Sequence, residues 1–67
     1  MTPDDYQLKY QTMQDFLLAQ GFQVDHQGEA FFKPTGFGYA WHIPFHDLSG
    51  KTVRELALRG QKEGWLS

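Results

Sequence analysis

Sixty-seven residues, a net charge of −2 and no cysteine confine the chain to one small domain with neither a disulfide framework nor a thiolate zinc site. Six Phe, three Tyr and two Trp compensate, because each ring buries a large apolar area; a homodimer is the other way to add burial. The opening "MTPDDYQLKY" has acids where a secretory leader has bases, and no apolar run approaches membrane-spanning length, so a cytoplasmic protein without a membrane partner is expected.

"TPDD" reads as a helix start. Thr2 suits the N-cap, Pro3 the first helical position and Asp5 the third, where an acid favours both the capping box and the dipole. Tyr6, Tyr10, Met13 and Leu17 step by four, three and four, with Phe16 widening the stripe. Gly21 suits the position after the last turn, so one helix is expected over residues 3–20.

At Phe22 the period changes to two. Phe22, Val24 and His26 share one face, and Gln23, Asp25 and Gln27 the other. A turn at Gly28 leads to a short second strand in "EAFFK", making a hairpin. Pro34, Gly36 and Gly38 end it. "YAWHIPFH" is the third strand, with Tyr39, Trp41, Ile43 and Phe45 towards the core and Ala40, His42, Pro44 and His46 away from it. Pro44 lacks an N–H and therefore belongs on an edge or at a strand end. From "DLSGKTVRELALRGQKEGWLS" a helix is expected with Ser49 or Gly50 as its cap, an apolar stripe of Val53, Leu56, Ala57 and Gly60, and Gly60 or Gly64 at its end. Trp65 and Leu66 are placed to fold back.

The expected architecture is α+β with the order α-β-β-β-α, a three-stranded antiparallel meander with two helices on one face. The expected core is Tyr10, Met13, Phe16, Leu17, Phe22, Val24, Phe32, Trp41, Ile43, Phe45, Val53, Leu56 and Ala57. The free sheet face should carry Gln23, Asp25, Gln27, Phe31, Lys33, Ala40, His42 and His46.

Charge divides unevenly along the chain. Residues 1–30 hold Lys9 against Asp4, Asp5, Asp15, Asp25 and Glu29, whereas residues 31–67 hold Lys33, Lys51, Arg54, Arg59 and Lys62 against Asp47, Glu55 and Glu63. This permits a basic face on an acidic protein. A shared zinc at His42 and His46 is disfavoured. Four residues along a strand span about 13 Å, and zinc needs its ligands at roughly 2 Å; no metal or other cofactor is expected. "GKT" at 50–52 is not a phosphate loop, because Phe45 stands where the first glycine of that motif is required. Its amides and Lys51 still suit either plain capping or a nucleic-acid phosphate. No hydroxyl has a context that marks an activated nucleophile.

Two stretches, "LLAQGFQV" and "IPFHDLSGKTVRELALRG", resemble the HicA-type toxins, small RNA-cleaving proteins with a double-stranded-RNA-binding-like fold that act with HicB antitoxins. The first is similar to the end of that family's first helix and its first strand. The second is similar to its third strand and the opening of its last helix. That family's active histidine stands in Gly-Ser-His at the start of the second strand; here the residues are Gly28, Glu29 and Ala30. The resemblance thus implies an RNA or protein partner and either a non-cleaving relative or, less favoured because it precedes the turn, His26 in the histidine's role; it does not imply nuclease activity. If the chain were an enzyme, it would be an endoribonuclease by resemblance.

Two functions compete. One is a non-catalytic RNA-binding module using Lys33, His46, Lys51, Arg54, Arg59 and Lys62 on phosphates and 2′-hydroxyls. The other is a protein-interaction module such as a small regulator, inhibitor or phage-type accessory protein, as a monomer or homodimer, using the free sheet face or an edge strand. A contiguous basic patch would favour the first. Mixed charges beside an apolar surface would favour the second.

Overall fold

The structure, a computed structural model, describes residues 1–66. Helices α1 (Pro3–Lys9) and α2 (Met13–Ala19) precede strands β1 (Gln23–Asp25), β2 (Ala30–Pro34) and β3 (Ala40–Pro44). A 3-10 turn (Phe45–Leu48) and helix α3 (Val53–Glu63) follow. The strands form an antiparallel meander in the order β1-β2-β3, and the class is α+β, as the periodicity predicts.

The single helix expected over 3–20 is two helices. Tyr10 leaves the helical region at φ −114°, ψ 129°, and Thr12 starts a new helix by accepting the Asp15 N–H at 3.0 Å. The aromatic stripe drives the break. Residues ten apart in a straight helix rise by about 15 Å, yet the rings of Tyr6 and Phe16 lie 5.4 Å apart and those of Tyr10 and Phe16 5.5 Å apart, both edge-to-face. Only a chain that folds back between them can close this cluster.

The phase of β2 is the reverse of that expected. The turn at His26–Glu29 sets Ala30 opposite Asp25 and Phe31 opposite Val24, so Phe31, not Phe32, enters the core. Gly28 donates its N–H to Asp25 Oδ1 at 3.0 Å, and the Asp25 carboxylate occupies the space where a Cβ would stand. Phe32 lies on the outer face, stacked on His42 directly opposite at 6.2 Å. Lys33 accordingly lies on the helix side.

The third strand ends at Pro44, so Phe45 and His46 belong to the 3-10 turn. Phe45 still meets Phe31 edge-to-face at 5.2 Å. The backbone bonds Thr35 N–H to Tyr39 O and Phe45 N–H to Glu29 O fix the ladder's alternation: odd residues of β3 bond to β2, and even residues point their N–H and C=O outwards. Pro44 therefore sacrifices no bond to β2. Trp41 is only half-buried, edge-to-face against exposed Tyr39. Tyr10, Met13, Val24 and Phe45 also pack at the margin of the core rather than within it.

Helix α3 is capped by Thr52, not Ser49 or Gly50; its side chain accepts the Glu55 N–H at 3.2 Å. Gly64, at φ 93°, ends the helix and turns the chain back. Trp65 then lies 2% exposed, its ring 4.9 Å from that of Phe22 and 6.1 Å from that of Phe16. Its backbone carbonyl accepts Lys33 Nζ at 2.9 Å, while its buried indole N–H has no acceptor among the described residues. Phe16, Leu17 and Ile43 are the most deeply buried large side chains. Tyr6, Leu48 and Leu66 complete the core beside Val53, Leu56 and Ala57.

Three outcomes follow from this core. Trp65→Ala should cost about 3–5 kcal/mol by urea denaturation, and Trp41→Ala clearly less, because its ring is already partly hydrated. Gly60→Ala, ordinarily stabilising within a helix, should instead destabilise by about 1–3 kcal/mol, because the added Cβ would stand 2.7 Å from the Trp65 ring and 2.9 Å from Leu66 Cβ. At the other end of the chain, the Asp5 carboxylate accepts the Thr2 N–H at 2.8 Å, and this bond, helped by the Thr2 side chain, holds its pKa below the usual value. The support it lends to α1 is complete above the ordinary carboxylate range and is lost as pH falls through the lowered pKa. A carboxyl NMR titration should give a midpoint below that of an unstructured aspartate, and Thr2→Ala should raise it.

Candidate functional site

The six cations singled out in the sequence do not form a free basic patch. Lys33 is half-buried and committed to the Trp65 carbonyl. His46 Nε2 lies 3.3 Å from the Asp47 carboxylate. Lys51 precedes α3 rather than opening it, and its ammonium is 4.0 Å from Glu55. Arg54 Nε donates to Asp4 Oδ1 at 2.8 Å, while its backbone N–H donates to Gln7 Oε1 at 3.1 Å. Arg59 bonds Glu63 at 2.6 Å and approaches Asp47 at 3.9 Å. Lys62 alone of the six has no acidic or hydrogen-bond partner among the described residues.

These pairs are exposed, so each contributes little stability. Their effect is on the field: a cation beside a carboxylate projects little potential beyond a Debye length of roughly 8–10 Å. A hollow of about 290 Å³ beside α3 shows the balance. Lys51 and Arg59 line it together with Asp47 and Glu55, and Leu56 and Leu58 form the rest of its wall.

The second concavity is chemically different. A cleft of about 440 Å³ opens between α2, β1, β2 and the 3-10 turn, lined by Met13, Val24, Phe31, Phe45 and Leu48. Thr12, Gln14 and His26 contribute its polar wall. None of its lining residues is an acid, lysine or arginine. Sequence reasoning marked Met13, Val24 and Phe45 as core. Their half-burial, which opens the cleft, follows from the break before α2 and from the end of β3 at Pro44.

The histidines are dispersed: His26 in the hairpin turn, His42 on the outer face of β3 and His46 in the 3-10 turn. No group of three or more His, Cys, Asp and Glu side chains able to hold a metal occurs among the described residues. Ala30, at the position the HicA resemblance gives to a catalytic histidine, opens β2 and is buried. No helix among the described residues is long and apolar enough to cross a membrane.

The ion pair between Arg54 and Asp4 is checked by a double-mutant cycle to alanine. The coupling energy should be about 0.2–1 kcal/mol and shrink with added salt, as for an exposed pair.

No family model, curated protein or solved structure matches the chain.

Proposed function

We propose that this chain is a non-catalytic protein-interaction module that receives an apolar side chain of a protein partner in the cleft formed by Met13, Val24, Phe31, Phe45 and Leu48. One contrast carries the reading: Lys33, Lys51, Arg54 and Arg59, four of the five candidate lysines and arginines, have partners within the fold, whereas the apolar cleft is open at the surface. Binding to a phosphate backbone draws its free energy from cations that release counterions. A cation beside a carboxylate carries little net charge to the phosphates, so it has few counterions to displace. An apolar cleft gains by losing water, and a few polar groups around it orient what enters.

His26, Gln14 and Thr12 can supply that orientation. They offer donors and acceptors without a fixed charge, which suits a neutral peptide segment better than a nucleic-acid strand.

Capture from a lysate of the source cells, with and without nuclease, tests the reading. Wild-type protein and Met13→Lys serve as parallel baits. Met13 is half-buried at the cleft wall, so the substitution charges the cleft while leaving the fully buried core in place. A protein retained after nuclease treatment and lost with Met13→Lys is the expected result. Capture abolished by nuclease, together with salt-sensitive RNA binding by the purified chain, would place the function with RNA instead.

A further inference from the structure

We propose that the free edge of β3 is a homodimer interface, through which two copies join their sheets into one six-stranded sheet. No residue of β3 lines the apolar cleft.

The two edges of the sheet are unlike. β1 is three residues long and carries Asp25, and a short edge with a charge resists pairing. β3 has neither protection: from Pro34 to Phe45 there is no Asp, Glu, Lys or Arg. The ladder's alternation points the N–H and C=O of Ala40 and His42 away from β2, and neither residue's backbone has another partner among the described residues. Beside them lie Tyr39, 61% exposed, and the half-buried Trp41.

The occupant is a second copy because the edge is complementary to itself. In an antiparallel two-fold pairing, Ala40 of each copy can exchange both N–H···O bonds with His42 of the other. The four outward groups of Ala40 and His42 in each copy are then used, and Pro44 is left outside the bonded residues. The two Trp41 residues face each other across the axis. An uncharged strand meets its copy without repulsion, whereas a foreign strand would find no charge here to select it. The area is also adequate in kind. A standard interface needs about 800 Å² per partner, and the exposed rings of Phe37 and Tyr39, of about 150–250 Å² each, supply on the order of half of it.

Sedimentation equilibrium from roughly micromolar to millimolar protein tests this by mass action. The expected result is a concentration-dependent shift from 7.8 kDa to twice that mass, accompanied by a change in Trp41 fluorescence. His42→Pro removes an N–H that faces away from β2, so an edge strand can keep its fold while losing the pairing bond. Ala40→Lys puts a charge on the same edge without touching the backbone. Each variant should raise the dimer dissociation constant at least tenfold with an unchanged far-UV spectrum; should His42→Pro unfold the chain, Ala40→Lys alone decides. A single 7.8 kDa species at every concentration overturns the proposal, as does a dimer that survives Ala40→Lys.

Discussion

The seat of Trp65 against Gly60 holds the two ends of this fold together. Gly64 reverses the chain after α3, and the Leu66 N–H donates back to Gly60 O at 3.2 Å. The indole then lies where no side chain longer than hydrogen would permit, over Gly60 and between Phe16 and Phe22. A domain of this size has few residues to spare for its core. It recruits its last large ring from the segment after the final helix and ties that segment to β2 through Lys33. Helix, strand and tail are thus joined at one point, and the position of α3 over the sheet depends on it.

The helix starts follow one local rule. Thr2, Thr12 and Thr52 each stand three residues before an acid, and each side chain accepts the N–H of that third residue. The first was legible as a cap in "TPDD". The other two, in "TMQD" and "TVRE", were equally present in the sequence but were outweighed: "TMQD" by the apolar stripe running through it, and "TVRE" by the more conspicuous "SGKT" just before it. Period-two alternation correctly marked the meander, and Pro44 its edge. It could not assign the phase of β2, because "AFF" offers two adjacent phenylalanines and only the length of the preceding turn decides which faces inwards.

The charge pattern shows why a site is less legible than a fold. Counted along the chain, an acidic half precedes a basic half. Folding lays one on the other: α1 packs beside α3, and Arg54 meets Asp4 across a separation of 50 residues. Asp47, from the 3-10 turn, lies between His46 and Arg59. The cations were identifiable by type and position, but their partners come from segments that no local pattern connects. The cleft was hidden for a similar reason, since its walls come from α2, β1, β2 and the 3-10 turn.

A scaffold of this class does not imply a chemistry; that belongs to the side chains set on it. The two motifs behind the expected HicA-type relationship consist largely of residues that build the scaffold: Phe22 and Ile43 in the core, Pro44 at the strand end, Thr52 and Val53 opening the last helix. Where that family's reactive group would stand, Ala30 presents a methyl group at the start of β2. The likeness and the departure thus fall on different physical requirements. Packing and capping constrain the first set of positions whatever the protein does. The apolar cleft and the uncharged strand edge lie outside those positions, and both are suited to gaining free energy by excluding water or completing backbone bonds.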